Sequence, residues 1–158
     1  MTSNMGSQLL HDTFEDAKES DYPKLAVKAK VQVLELLKQS IRPEFLNRID
    51  ETLLFLPLTR ANVKEIVQIQ LNQLKVQLKE KGIKLFVAPD AFEHILELGF
   101  DPFFGARPVK RVIQKEVLNS LSKALLAKTV DITQTVVMDM FEGQIVFRKP
   151  VLEEEEIA

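Results

Sequence analysis

The sequence has no cysteine and no tryptophan, a single tyrosine, two histidines and five glycines. Without cysteine there is no disulfide and no thiolate metal site, which fits a reducing compartment. His11 and His94 stand far apart in the chain, which argues against a histidine-based metal site and against a Ser/His/Asp grouping. No apolar run approaches the roughly 20 residues that span a bilayer. Lysine and arginine (21) nearly balance aspartate and glutamate (23), so no global positive field invites nucleic acid. The glycines, at 6, 82, 99, 105 and 143, never precede Lys-Ser or Lys-Thr, so the phosphate-cradling GxxxxGK[ST] loop is missing. No apolar strand ends in Asp-Glu, so the acids that hold a metal and activate water in a nucleotidase are missing as well. This chain is therefore not expected to hydrolyse a nucleotide by itself.

What remains is an ordinary globular composition, 46% apolar and 28% charged over 158 residues, enough for one domain or two small ones. The segment Met1 to Ser7 lacks the basic and apolar regions of a signal peptide and reads as a cut made inside a larger protein. Residues 7–20 suggest a helix. A second, from Pro23 to about Gln39, places Val27, Val31, Leu34 and Leu37 at helical spacing. Arg42-Pro43 interrupts it, because a residue before proline is pushed towards extended geometry. Pro43 to Ile49 then forms a helical turn, and residues 51–56 read as a strand.

Pro57-Leu58-Thr59 marks a boundary. Thr59 is placed to cap a helix from Arg60 that ends at Gly82, with Leu58 and Val63 at staple positions. Residues 83–87 suggest a strand. Pro89 opens a helix that should bury Phe92, Ile95 and Leu96 and stop at Gly99, and Pro108 opens another. Residues 135–140 and 145–149 form a hairpin around Glu142-Gly143. The second half thus reads α-β-α-α-β-β, a complete small α+β domain. The first half has helices and a lone strand that must pair elsewhere to satisfy its backbone. Glu153–Glu156 is read as a solvated acidic tail.

One stretch carries the chemistry: Phe103-Phe104-Gly105-Ala106-Arg107-Pro108-Val109-Lys110-Arg111. Gly105 allows a tight turn and Pro108 suits a helix start, so Arg107 sits at a helix mouth where free amides and the dipole favour an anion. Its planar, permanently charged fork matches phosphate oxygens.

Three ordered motifs extend the picture: Thr2-Ser3-Asn4-Met5-Gly6-Ser7, then Arg42-Pro43-Glu44-Phe45-Leu46-Asn47-Arg48-Ile49-Asp50, then Gly105-Ala106-Arg107-Pro108-Val109-Lys110-Arg111. Together they closely resemble the second ATPase module of the ClpB-type disaggregase chaperones of the AAA+ superfamily. Met5 and Leu46 vary at apolar positions, and residues 8–40 are individual. The resemblance implies a mostly helical α+β fold. Residues 58–150 would be the AAA+ small, or lid, domain, with helices packed on a three-stranded sheet. Residues 1–57 would be the helical remnant of the large domain, and 151–158 an acidic tail.

The resemblance also implies roles. Asn4 matches the sensor-1 residue that orients attacking water. Arg48 matches the arginine finger that reaches the neighbouring subunit's nucleotide, and Arg107 matches sensor 2, which touches its own. Ala106 and Ile66 would lie by the nucleotide, Ile66 on the adenine side. The parent would be a cytoplasmic homo-hexameric ATPase using ATP/ADP with Mg. It would thread unfolded or aggregated polypeptide with a partner chaperone system, and bind neither nucleic acid nor membrane. The isolated chain would hold no tightly bound nucleotide and no metal.

Plainer readings stand beside these. Asn4 could be a turn residue, Arg48 a surface ion pair with Asp50, and Lys110 and Arg111 a solvated face or subunit contacts. Val63, Ile66 and Val109 are core by periodicity, Phe103-Phe104 a packing plug, and both histidines surface or partly buried. A ClpA/ClpC-type unfoldase feeding a protease would share the sensor motifs, and a non-enzymatic helical adaptor would need none of them.

Overall fold

The computed structural model describes residues 2–101 and 104–150. The chain divides into two compact units, Met1–Thr59 and Arg60–Ala158.

In the first unit α1 spans Ser7–Phe14 and α2 spans Tyr22–Ser40, joined through a 3₁₀ turn at Glu19–Asp21. The helix expected over residues 7–20 therefore stops six residues early. Its anchor is Phe14, which is buried and meets the Tyr22 ring edge-on at 4.8 Å. A four-residue helix, α3, covers Pro43–Leu46. No strand forms over residues 51–56, and Leu53 and Phe55 are 70% and 81% exposed. Among the described residues of this unit the segment has no strand to pair with, so the ladder that a strand requires is missing.

The face that α2 buries also differs from expectation. Ala29 and Val33 are buried, whereas Val27 (69%) and Val31 (54%) are exposed. At about 100° per residue the two stripes lie on opposite sides of the helix. α2 is apolar on both faces, and one of them is open to solvent.

The second unit follows the expected α-β-α-α-β-β order. α4 spans Arg60–Glu80 and buries Val63, Val67, Leu71, Leu74 and Leu78, one stripe at helical spacing. Ile66 stands beside that stripe and is only half-buried, which corrects its placement in the core. α4 ends through Gly82 at φ 79°. Ile83 N–H donates to Leu78 O at 2.9 Å and Gly82 N–H to Lys79 O at 2.9 Å, the two bonds of a Schellman cap.

β1 (Lys84–Val87) leads into α5 (Pro89–Gly99), which buries Ala91, Ile95 and Leu96 and leaves Phe92 half-buried. α6 (Arg107–Val112) runs into a π-helical segment, Ile113–Leu118, and on into α7 (Asn119–Leu126). Asn119 N–H bonds Gln114 O, five residues back rather than four. The sequence explains this irregularity. Val109, Ile113, Val117 and Leu121 are all buried and recur every fourth residue. On a straight 3.6-residue helix that spacing drifts about 40° per step. The wider π turn cancels the drift and keeps the stripe on the core.

The sheet has order β1-β2-β3, with β2 at Thr135–Phe141 and β3 at Gln144–Arg148. β1 pairs parallel to β2 (Leu85 opposite Val136) and β2 antiparallel to β3 (Met140 opposite Ile145). Glu142 (φ 47°) and Gly143 (φ 75°) make the two-residue turn with both residues left-handed. The core lies between the helices and the sheet. It joins the α4 stripe to Ile95, Leu96, Val117, Leu121, Val136 and Met138.

Candidate functional site

Asn4 lies in a short loop fixed on both sides. Met5 N–H donates to Ser3 Oγ at 3.1 Å, and Ser7 N–H donates to the Asn4 carbonyl at 3.1 Å. Gly6 follows at φ 80°, and a Cβ there would come within 2.9 Å of Val33 Cγ2. Glycine is thus required twice over, for the backbone angle and for the close approach to α2. The Asn4 residue itself is exposed.

Arg48 follows α3 in the same unit. The Arg42 carbonyl accepts from Phe45 N–H (3.0 Å) and Leu46 N–H (3.2 Å), and Arg48 N–H donates to Phe45 O at 3.1 Å. The backbone is a wound turn that leaves Arg48 exposed. Among the described residues no ion pair joins it to Asp50.

Arg107, in the second unit, is the first residue of α6 and is exposed. Ala106 precedes it as the capping residue and packs half-buried against the core. The mouth of this helix is not a cradle of free amides, contrary to expectation. Arg107 N–H donates to Phe104 O at 3.2 Å, Val109 N–H donates to Ala106 O at 3.1 Å, and Pro108 has no N–H to give. These two amides are therefore not available to an anion, and the exposed charge at this end belongs to side chains. Lys110 and Arg111 are exposed on the same short helix, and among the described residues neither has an ion-pair partner.

Behind Arg107 the chain is tied in a way the sequence reading missed. Asp101 N–H donates to Gly105 O at 3.1 Å, and Gly105 N–H donates to Asp101 O at 2.7 Å. Asp101 Oδ1 accepts from Phe104 N–H at 2.8 Å. Gly105 closes this bridge at φ 60°. An aspartate a few residues before a glycine is the signal that could have announced it. Phe104 is 59% exposed and so plugs nothing, while Phe103 lies outside the described residues, as does the tail at 151–158.

Asn4 and Arg48 thus belong to the first unit, and Ile66, Ala106 and Arg107 to the second. A groove of about 660 Å³ runs beside α4, lined by Lys64, Gln68, Lys75, Phe86 and Phe92 among others, but by neither Ile66 nor Arg107. His11 is half-buried, with Asp12 and Glu15 oxygens 3.7 and 3.8 Å from Nδ1. Two of those three groups are exposed carboxylates, an arrangement common without a metal. His94 is half-buried on α5. No described helix is long and apolar enough to cross a membrane.

Helices covering a small mixed three-stranded sheet are consistent with the small-domain class of the AAA+ ATPases. Comparison with known proteins narrows this. Residues 58–138 match the family described as the C-terminal, D2-small domain of ClpB protein. Over 148 residues the chain is 47% identical to the chaperone protein ClpB of Porphyromonas gingivalis, covering 94% of this chain and 17% of that protein. It is 46% identical over 143 residues to mitochondrial ClpB3 of Oryza sativa, covering 89% of this chain and 14% of the relative. For the probable ClpB 1 of Chlorobaculum tepidum the identity is 44% over 149 residues, with 94% of this chain and 34% of the relative covered. The chain belongs to the ClpB family and carries its D2-small domain. It spans well under two thirds of the length of these relatives.

Proposed function

We propose that this chain is the nucleotide-sensing and subunit-packing part of the second ATPase module of a ClpB-type disaggregase. In this reading residues 58–150 are the lid and residues 1–57 the end of the large domain. Arg107 senses the phosphates of its own subunit, and Arg48 reaches the nucleotide of the neighbour. Asn4 orients the attacking water, and Ala106 and Ile66 approach the nucleotide. The transferring phosphoryl spreads charge over several oxygens, and a fixed guanidinium stabilises that charge without any change of protonation.

The observation that carries the reading is Arg107: an exposed, permanently charged fork at the head of a helix within the matched family segment. The doubly apolar α2 supports it from the other unit. A helix apolar on both faces belongs inside a larger domain, and here one face lacks its cover. On the same reading the parent is a cytoplasmic homo-hexamer that hydrolyses ATP with Mg and threads aggregated polypeptide alongside a partner chaperone system. The chain alone lacks the phosphate cradle and is not an enzyme. The motifs left open a protease-linked ClpA/ClpC type and a helical adaptor, and the family match favours ClpB over both.

The test is made in the full-length ATPase. Arg48→Ala should lower hydrolysis by roughly 10³-fold or more, the scale of a lost arginine finger, while nucleotide binding persists. Normal turnover in that variant removes the finger role. Arg107→Ala should impair both binding and hydrolysis, and unchanged values for both would discard the sensor assignment. Titration calorimetry of the present chain with ATP should show no tight binding.

A further inference from the structure

We propose that Asp101 is the positioning residue for Arg107, setting the direction in which its guanidinium leaves the domain. The inference rests on the reading of Arg107 as the nucleotide sensor. The geometry is a relay through one residue. Asp101 Oδ1 holds the Phe104 N–H at 2.8 Å, and the Phe104 carbonyl in turn accepts the Arg107 N–H at 3.2 Å. The paired backbone bonds between Asp101 and Gly105, at 3.1 and 2.7 Å, close the base of the same turn. Gly105 at φ 60° permits that closure.

A second anchor fixes where the turn starts. Gly99, the last residue of α5, lies so close to α6 that a Cβ on it would be 3.0 Å from Val109 Cγ2 and 3.4 Å from Val109 Cα. The ends of α5 and α6 are thereby in contact. An ionised carboxylate accepting a backbone N–H makes a stronger bond than a neutral acceptor. Asp101 is also short enough to reach an amide three residues ahead. Since the Arg107 and Val109 amides are already bonded, the turn acts on the site through where it starts the Arg107 side chain.

The measurement is steady-state ATP hydrolysis by the full-length ATPase, comparing Asp101→Ala, Asp101→Asn and Asp101→Glu with Arg107→Ala. Asp101→Ala should raise KM for ATP roughly tenfold, inside the 10²-fold that a misplacement of about 1 Å can cost. Asp101→Asn keeps an acceptor in the same place and should restore KM to near the parent value. Asp101→Glu keeps the charge but shifts the acceptor by a methylene, and should behave like the alanine variant. It also guards against a misfolded Asp101→Ala. In the double variant Asp101→Ala/Arg107→Ala, KM should be no worse than in Arg107→Ala alone, the outcome expected when Asp101 acts on KM through that arginine.

A normal KM in both Asp101→Ala and Asp101→Glu, with Arg107→Ala defective, overturns the positioning role and leaves the sensor intact. An additive double variant, or failure of Asp101→Asn to restore KM, also overturns it. A normal Arg107→Ala removes the sensor reading and this inference with it.

Discussion

Gly82 and Lys128 both follow helices in the left-handed region, at φ 79° and 55°, but only one of them is a glycine. No atom lies within 4 Å of a Cβ built on Gly82, so a side chain there would meet no clash and only backbone strain. Gly82→Ala should lower stability by about 1 kcal/mol, the cost of holding an L-residue left-handed. Lys128 already bears that strain. It is exposed after α7, where Thr129 N–H reaches Ala124 O at 3.1 Å. Lys128→Gly should stabilise by roughly 0.5 kcal/mol, the relief being partly offset by glycine's greater freedom in the unfolded chain. Thermal unfolding of the two variants checks both signs. At this scale the sequence was legible where chemistry forces geometry: Gly82 announces a helix stop, and Glu142-Gly143 a hairpin turn. It was misleading at Arg107, because whether first-turn amides are free depends on bonds to Phe104 and Ala106 that no motif encodes.

Elements were legible where the described residues include what they pack or pair with, and misleading elsewhere. α4 and α5 carry one apolar stripe each and were placed within a residue or so. The stripe Val27, Val31 and Leu34 looked like the buried face of α2 because periodicity reports an apolar face, not which of two is covered. Residues 51–56 have strand composition, but a strand exists only by pairing, and the first unit offers none. The hairpin, by contrast, holds its own partners and an ion pair across them. Arg148 Nε donates to Asp139 Oδ2 at 2.7 Å, and a second guanidinium nitrogen lies 2.6 Å from the same oxygen. That bond, with a further one from the Met140 N–H, holds the Asp139 carboxyl below its usual range. A group whose folded pKa is depressed adds stability above its unfolded value, near 4, and loses it as pH falls through the folded value. Stability should therefore fall between about pH 4 and the lower folded pKa of Asp139. Asp139→Asn should lessen that fall while lowering stability at neutral pH. Urea unfolding as a function of pH reads both.

The two units of the molecule are unequal. The second has a closed core from α4 to β3, whereas in the first the buried apolar residues are Phe14, Ala29 and Val33 among those described. Residues 60–150 alone should unfold in one cooperative transition, while residues 1–59 alone should show none. The whole chain should self-associate through its exposed apolar residues, and Val31→Lys with Phe55→Lys should shift it towards monomer in sedimentation. The fold class was readable because the second unit holds a three-stranded sheet and the core that covers it. The site was readable only as separate residues, since Asn4 and Arg48 fall in one unit and Arg107 in the other. The π turn at Ile113–Leu118 has one more consequence, for chain length. It accommodates a surplus residue, so the helix can lose one without turning either end. Deleting Gln114 would leave buried positions at spacings of four, three and four, which a straight α-helix satisfies. The deletion should heal and cost little in melting temperature. An alanine inserted after Gln114 has nowhere to go and should cost far more. In length variants of this domain, a missing residue is accordingly to be looked for here first.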